Sequence, residues 1–242
     1  TDVAFMKKAY LITKRATDIT LSLVSIVVLS PILLLTSLLL WATGEHEIIY
    51  RQRRVGKAYK PINVYKFVTM RRDSERYGTI TAKNDPRVLP VGKVLRKTKI
   101  NELPQLFNVL FGHMSIVGPR PLVESEVEMY PDSCRDVIYD SNQPGLTGIG
   151  SLFFRDEDEL IAGTGKPPEQ AYKEDIMPLK GTLEAWYRDY KSFRVDAKIV
   201  ALTAWAIISA ETVPVVKAFS GETGIPSDTI AEYAALAQDQ KD

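Results

Sequence analysis

Residues 19–43, ITLSLVSIVVLSPILLLTSLLLWAT, form a run of 25 residues without a charged side chain. An uncharged apolar run of about 18 residues or more is typical of a helix inserted in a membrane. Ser30-Pro31 stands at the middle of this run. Proline removes one helical hydrogen bond and clashes with the carbonyl four residues earlier. A nearby hydroxyl can bond the carbonyl that proline leaves unpaired, so the break is tolerable in lipid.

Both flanks of the run are basic. Lys7, Lys8, Lys14 and Arg15 precede it, and Arg51, Arg53, Arg54 and Lys57 follow it. Basic flanks tend to stay in the cytoplasm, and a helix–break–helix that enters and leaves by the same face satisfies both. Each half has about 12 residues, or roughly 18 Å, which is short of a ~30 Å hydrocarbon core. We therefore predict a re-entrant membrane hairpin broken at Ser30 and Pro31, with a spanning helix kinked at the proline as the alternative.

The composition suits one domain beside this membrane segment. The chain has 242 residues, 45% of them hydrophobic, and its single Cys134 excludes an internal disulfide. Residues 1–100 carry 19 Lys and Arg against 7 Asp and Glu, whereas residues 101–242 carry 12 against 23. A basic half next to an apolar run favours anionic lipid head groups or phosphate-rich substrates over nucleic acid.

The rest of the chain predicts a mainly α fold with a small β-hairpin. Residues 3–16 suit a basic amphipathic helix in the membrane interface. Residues 47–55 and 61–70 are β-rich and flank a turn with Gly56, which predicts the hairpin. Residues 84–86 suit a helix start, and Pro90 makes a helix begin again near Val91.

Further along, an apolar helical face is predicted for Leu103, Leu106, Phe107 and Leu110, ending at Gly112. Residues 123–140 look acidic and irregular, and 143–148 look like turns. Helices are predicted in 169–190 and 194–210. These patterns indicate an interfacial helix and membrane hairpin at 1–44, a compact cytoplasmic domain at 45–220 and a polar, loosely held tail at 221–242.

The candidate chemistry lies where a cationic helix meets a carboxylate. Arg96, Lys97 and Lys99 lead directly into Asn101-Glu102-Leu103-Pro104. A carboxylate beside several cations, close to a membrane segment, fits a site for Mg²⁺ and phosphate, since Mg²⁺ takes one or two carboxylates plus phosphate oxygens. Arg120 lies between two prolines, and its guanidinium can bind phosphate bidentately. A helix-terminal charge with no ligand is the other interpretation of Glu102.

The sequence resembles the bacterial sugar transferases, the monotopic polyprenyl-phosphate phosphoglycosyl transferases. The matching segments, in family order, are KRATDITLSLVSIVVLSPILLL, RQRRVGKAYKPINVYKFVTM, DPRVLPVGKVLRKTKINELPQLFNVLFGHMSIVGPRP and QPGLTG, which lie within residues 14–148. The block from Leu95 to Pro121 is the most specific of them.

The resemblance implies an activity and its participants. Members transfer a phospho-sugar from a UDP-sugar to polyprenyl phosphate, usually undecaprenyl phosphate, release UMP and need Mg²⁺. It implies a re-entrant Ser-Pro hairpin, a monotopic protein on the cytoplasmic face of the bacterial inner membrane, and no nucleic-acid partner; the oligomeric state, a homo-oligomer included, stays open. An Asp-Glu pair before the LPQL helix carries the chemistry: Asp attacks phosphate, and Glu helps to bind the metal.

This sequence departs from the family pattern at the nucleophile. Asn101 stands at the Asp position, His113 stands in the usual Gly-Asp-Met-Ser, and Val68 stands at a common Arg. A carboxamide is a poor nucleophile. Three interpretations are open: a natural variant that uses Glu102 or transfers directly, an engineered exchange that traps substrate, or a silent homologue serving as a membrane-bound binding or scaffold subunit.

We take the enzymatic interpretation forward. Asn101 and Glu102 are the predicted catalytic residues, and Glu102 is also the predicted metal ligand. Lys66, Arg96, Lys97 and Arg120 are the predicted phosphate-binding residues. The choice of sugar is assigned, as a hypothesis, to the acidic stretch 151–190. A protein that only binds lipid head groups through its basic half is a further alternative; its membrane affinity would be lost at high salt and would ignore UDP-sugar and Mg²⁺.

Overall fold

The chain folds into two compact units that alternate along the sequence. The computed structural model describes residues 2–43, 46–72, 74, 85–209 and 214–238. One unit comprises residues 17–53 and 63–112, and the other comprises residues 1–16, 54–62 and 113–242. The described chain is mainly helical with short strands, as the sequence predicts.

The first helix, α1, runs from Asp2 to Thr43 and contains Pro31. The Ser30 hydroxyl donates to the carbonyl of Val27 at 2.7 Å, which is the acceptor that Pro31 lacks an N–H to reach. The predicted rescue by a nearby hydroxyl is therefore confirmed. The helix continues through the proline, however, so the re-entrant hairpin is not confirmed. Among the described residues, Lys8–Thr43 is the one segment long and apolar enough to cross a membrane, and 11% of its most apolar window is buried.

The unit of residues 17–53 and 63–112 contains most of both strands of the predicted hairpin, whereas residues 54–62, with the turn, are assigned to the other unit. Strands β1 (Ile49–Val55) and β2 (Pro61–Phe67) form one two-stranded sheet. Helix α2 spans Pro90–Lys97, a 3₁₀ turn spans Ile100–Glu102, and α3 spans Gln105–Leu110. The helix start predicted at 84–86 is wrong for its described part: Asn84 is not described, residues 86–87 form a turn, and Val88 pairs with Met70 in an isolated bridge. Pro90 opens α2, close to the second start predicted near Val91. Gly112 ends the α3 region in the left-handed conformation with φ of 85°.

Gly92 allows α2 to lie directly on the backbone of Thr69. A Cβ atom at Gly92 would stand 2.1 Å from the Thr69 carbonyl oxygen, and that oxygen is fixed because it accepts a hydrogen bond from the Leu89 N–H at 2.9 Å. Backbone cannot rotate away from an added methyl group as a flexible side chain can.

We expect Gly92→Ala to destabilise the fold by about 2–3 kcal/mol through this overpacking. Thermal unfolding in detergent micelles measures the effect as a lowered midpoint. Gly221→Ala is the matched control, since a Cβ there meets no atom within 4 Å. Equal midpoints for the two variants would contradict the expectation.

The unit of residues 1–16, 54–62 and 113–242 is a helical body around a short parallel strand pair. Strands β3 (Ser115–Val117) and β4 (Gly145–Thr147) pair Ser115 with Gly145 and Val117 with Thr147. The helices in order are α4 (Glu124–Val127), α5 (Asp132–Ile138), α6 (Ile149–Phe153), α7 (Glu157–Gly163), α8 (Pro168–Ala171), α9 (Met177–Tyr190), α10 (Phe193–Ile208), α11 (Val215–Phe219) and α12 (Ser227–Gln238).

Three expectations for this unit are corrected. Residues 123–140 are not irregular, since α4 and α5 bury Val127, Cys134 and Ile138. Residues 143–148 contain β4 rather than turns alone. The predicted polar tail contains α12, which packs into the main core because Ile230 and Tyr233 supply an apolar face. The Tyr233 hydroxyl also donates to the Phe153 carbonyl at 2.7 Å, so this segment is held by the core.

Candidate active site

The catalytic pair predicted from sequence lies in a tight connection between two helices. Lys99 has φ of 59°, a left-handed conformation that costs a non-glycine residue free energy, and it turns the chain from α2 into the 3₁₀ turn Ile100–Glu102. The Lys99 carbonyl then accepts a hydrogen bond from the Glu102 N–H at 3.1 Å. The connection thus places Asn101 and Glu102 directly after the cationic last turn of α2, which carries Arg96 and Lys97.

Asn101 and Glu102 offer oxygen atoms in this turn. The Oδ1 atom of Asn101 is buried and has no hydrogen-bond partner in the described part of the chain. A buried polar atom normally has a partner, so this oxygen is a candidate ligand for a bound cation or a bound donor group. Carboxylate and amide oxygens are ligands that Mg²⁺ accepts. Within the residues that the structure describes, no cluster of three or more His, Cys, Asp or Glu side chains could hold a metal ion by itself.

The side chain of Asn108 ties α3 to β2. Its Oδ1 accepts a hydrogen bond from the Tyr65 N–H at 2.9 Å, and its Nδ2 donates to the Asn63 carbonyl at 2.7 Å. The amide therefore satisfies the backbone of β2 as a neighbouring strand would. Lys66 comes directly after Tyr65, and its ammonium group donates to Gln52 Oε1 at 3.1 Å. The two hydrogen bonds of Asn108 therefore fix β2, which carries Lys66, to α3, which follows Asn101 and Glu102.

An apolar cluster packs α1, β2 and α2 together. Leu40, Phe67 and Leu95 are each at most 4% exposed and pack as one core. Lys66 is next to Phe67, and Arg96 is next to Leu95, so each cation is attached to a buried neighbour. Five predicted site residues therefore lie on packed elements of one unit: Lys66, Arg96, Lys97, Asn101 and Glu102.

Arg120 belongs to the other unit, in the GPRP loop of residues 118–121. The backbone around this loop is held by groups from distant parts of the sequence. Main-chain carbonyls accept as follows: Val117 from Tyr187 Oη (3.3 Å), Pro119 from Gly145 N (2.8 Å), Arg120 from Tyr139 Oη, Pro121 from Arg54 Nη1 (3.4 Å) and Leu122 from Val55 N (2.8 Å). These hydrogen bonds hold the loop in addition to its two prolines.

Two buried polar side chains of α9, Tyr187 and Glu184, were not predicted from sequence. The Tyr187 hydroxyl shares its one proton between Asp196 Oδ1 at 2.6 Å and the more distant Val117 carbonyl at 3.3 Å. Asp196 also accepts from Lys14 at 2.7 Å and Tyr10 at 3.0 Å. Glu184, on the same helix as Tyr187, is fully buried. A sequence signal for α9 did exist: Met177, Lys180, Glu184 and Tyr187 follow helical spacing, so Lys180 and Glu184 interrupt a stripe that is otherwise apolar or aromatic.

Burial raises the pKa of Glu184 to about 8, against an ordinary value of 4.5, and the Lys180 ammonium acts in the opposite direction. The folded protein therefore keeps a proton that the unfolded chain releases above pH 4.5. Stability should fall by about 1.4 kcal/mol per pH unit as the pH rises from about 4.5 to about 8, and this dependence should end above pH 8.

We expect Glu184→Gln to remove that dependence and to be more stable than the unaltered chain at pH 8, because glutamine carries no charge to bury. Chemical unfolding between pH 5 and pH 8.5 measures it. Glu128→Gln, at an exposed glutamate, should keep the slope of the unaltered chain. A Glu184→Gln variant whose stability has the same pH dependence as that of the unaltered chain would refute the raised pKa of Glu184.

Comparison with known proteins identifies the family. A family model described as "Bacterial sugar transferase" matches residues 9–210. The chain belongs to the bacterial sugar transferases. The predicted resemblance is thereby confirmed, and the match includes all of the predicted site residues, from Ser30 to Arg120.

Three curated proteins show what the chain is similar to. The UDP-glucose:undecaprenyl-phosphate glucose-1-phosphate transferase of Klebsiella pneumoniae is 36% identical over 81% of this chain and 40% of its own length. The exopolysaccharide production protein PSS of Rhizobium leguminosarum bv. phaseoli is 48% identical over 59% of this chain and 74% of its own length. The UDP-N-acetylgalactosamine-undecaprenyl-phosphate N-acetylgalactosaminephosphotransferase of Aeromonas hydrophila is 38% identical over 57% of this chain and 33% of its own length.

The coverage differs between these relatives. The sugar transferase described here spans well under half of the Klebsiella and Aeromonas proteins and about three quarters of the Rhizobium protein. Their names share the transfer of sugar phosphate to undecaprenyl phosphate or a role in exopolysaccharide production.

Proposed function

We propose that this chain transfers a phospho-sugar from a UDP-sugar to undecaprenyl phosphate and releases UMP, as a membrane step of polysaccharide synthesis. The observation that carries the proposal is the turn at Asn101 and Glu102, where two oxygen-bearing side chains follow the cationic end of α2. The reactions named for the Klebsiella and Aeromonas relatives support the same substrates.

The reaction is an exchange at one phosphorus atom. An oxygen of the lipid phosphate attacks the β-phosphorus of the UDP-sugar, the bond from that phosphorus to the bridging oxygen breaks, and UMP leaves with the bridging oxygen. Because Asn101 carries no negative charge, we propose direct transfer to the lipid phosphate in place of attack by an enzyme carboxylate. The Asn101 amide then donates a hydrogen bond to a phosphate oxygen where the family nucleophile stands.

Charge compensation is the main task of the protein in this exchange. Arg96, Lys97 and Lys66 are the candidate phosphate-binding side chains of the unit of residues 17–53 and 63–112, and Arg120 is the candidate of the other unit. The Glu102 carboxylate and the Asn101 Oδ1 atom are the side chains suited to hold Mg²⁺. When bound, Mg²⁺ supplies Lewis-acid polarisation of the diphosphate.

For the membrane, we propose that α1 bends at Pro31, so that the helix re-enters and both basic flanks stay on the cytoplasmic face. The low burial of its apolar window supports contact with lipid. We propose that α10 lies in the interface, since Val200, Trp205 and Ile207 are exposed on it and its uncharged stretch is too short to span a bilayer.

The test is UMP release by the purified chain with undecaprenyl phosphate, Mg²⁺ and UDP-glucose, UDP-galactose or UDP-N-acetylgalactosamine. We expect UMP release with at least one sugar, dependent on both the lipid and Mg²⁺. The second candidate is a membrane-bound binding subunit, which Asn101 favours because it replaces the family nucleophile. UDP-sugar binding without UMP release at any lipid concentration would establish that candidate instead.

A further inference from the structure

Tyr172 lies where a helix changes its winding. Helix α8 ends at Ala171, Tyr172–Ile176 form a π-helical turn, and α9 starts at Met177. π turns are rare in proteins, but those that occur are often found at functional sites. A π turn points its side chains in directions that a regular helix would not give them. The π turn therefore marks Tyr172 and the side chains around it as a candidate functional site.

Two ion pairs lie beside Tyr172, and each leaves a carboxylate partly open to solvent. Arg54 Nη1 is 3.1 Å from Glu126 Oε2, and the side chain of Glu126 is 24% exposed. Lys180 Nζ is 2.8 Å from Glu157 Oε2, and the side chain of Glu157 is 25% exposed. Lys180 Nζ is also 5.7 Å from the centre of the Tyr172 ring. We call Tyr172 and these two pairs the Tyr172 cluster.

The Tyr172 hydroxyl is a protonated group set among these charges. Burial raises its pKa most, Glu157 and Glu126 raise it further, and Arg120 and Arg54 lower it. The two carboxylates and both guanidinium groups are therefore its electrostatic neighbours. Among the described residues, no hydrogen-bond partner of this hydroxyl is seen, so it remains able to donate and accept.

We propose that the Tyr172 cluster binds the pyranose ring of the nucleotide sugar, an assignment that rests on the proposed function. Sugar hydroxyls both donate and accept hydrogen bonds. The cluster offers two carboxylate acceptors, a guanidinium donor and a phenol, around an aromatic ring that can contact the apolar face of the sugar. Arg120, the electrostatic neighbour that belongs to the phosphate-binding set, places the adjoining sugar phosphate beside the cluster.

The assignment also gives a role to the acidic stretch 151–190, which the sequence associated with the choice of sugar. Tyr172 lies in that stretch, and both Glu157 of the same stretch and Arg120 are its electrostatic neighbours.

The test separates sugar recognition from nucleotide recognition. Binding of UDP-glucose, UDP-galactose, UDP-N-acetylgalactosamine and UMP is measured by calorimetry with the full chain in detergent and Mg²⁺, without lipid phosphate. For the UDP-sugar that binds most tightly, we expect Tyr172→Phe to raise Kd about tenfold, while the Kd of UMP, which has no sugar phosphate, changes less than about twofold. Tyr190→Phe, at an exposed tyrosine of α9, should leave both values unchanged.

A second variant guards against a purely structural effect. Glu126→Gln keeps the shape of the side chain and should weaken the same UDP-sugar about tenfold, again without weakening UMP, whereas Glu128→Gln on an exposed site should not. Equal weakening of UMP and UDP-sugar in both cluster variants, or no weakening of UDP-sugar in either, overturns the sugar site. Failure of UMP and of every UDP-sugar to bind the unaltered chain overturns the proposed function, and the inference falls with it.

Discussion

Exchanging Glu102 for Gln is expected to lower UMP release by roughly 100-fold or more. The substitution keeps the size of the side chain and removes the one carboxylate in the turn at residues 100–102. The proposed reaction moves negative charge between phosphate groups, so loss of the carboxylate proposed to hold Mg²⁺ should raise the barrier of the chemical step. The initial rate of UMP release at saturating UDP-sugar, compared between the variant and the unaltered chain, measures the loss of activity.

Two companion measurements sharpen this result. Glu124→Gln, at an exposed glutamate, should retain the rate of the unaltered chain. Raising the Mg²⁺ concentration should partly restore Glu102→Gln if the lost group holds the metal, because a weaker site can still be filled by mass action. A rate within twofold of the unaltered chain would remove Glu102 from the site.

The largest gain is expected for Asn101→Asp. The carboxylate has the size of the carboxamide and would occupy a position whose Oδ1 atom has no partner among the described residues. It restores an oxygen nucleophile beside the cationic end of α2, so we expect UMP release to rise roughly 10- to 100-fold. A covalent phospho-sugar enzyme should also become detectable by mass spectrometry when lipid phosphate is withheld.

The unaltered chain gives the reference for that adduct. Direct transfer predicts no covalent enzyme in the unaltered chain, whereas attack by Glu102 predicts one that is lost in Glu102→Gln. Asn63→Asp makes the same chemical change at an exposed position and should alter neither rate nor adduct. If Asn101→Asp produces neither a faster rate nor an adduct, position 101 is not where the nucleophile acts.

Local patterns predicted the elements that carry the candidate site. The hairpin, the apolar helix after Asn101 and its end at Gly112 all follow from residue types within a few positions of one another. The buried face of α3 was predicted less well: Asn108 is fully buried, whereas Phe107 is only partly buried. Asn108 is buried because its amide bonds the backbone of β2, a contact 43 residues away that no local pattern contains.

Contacts between distant parts of the sequence also account for features that the local patterns missed elsewhere. Strand β4 was interpreted as a turn because it starts with Gly145 directly after Pro144, and its parallel partner lies about 30 residues earlier. The GPRP loop was recognised by its prolines, but Tyr139, which bonds the Arg120 carbonyl, follows α5, and Tyr187, which bonds the preceding Val117 carbonyl, lies on α9. Pro31 predicted a break, yet the Ser30 hydroxyl supplies the missing hydrogen bond and the helix continues.

The dispersed origin of the bonds around the GPRP loop has a consequence for biosynthesis. Proteins are made from the N-terminus, so the apolar run of α1 leaves the ribosome long before Tyr187, whose hydroxyl bonds the Val117 carbonyl. The nascent chain can therefore reach the membrane while the backbone around Arg120 still lacks part of its support. Competence for phosphate binding should then appear late in synthesis, after the membrane segment has already been targeted.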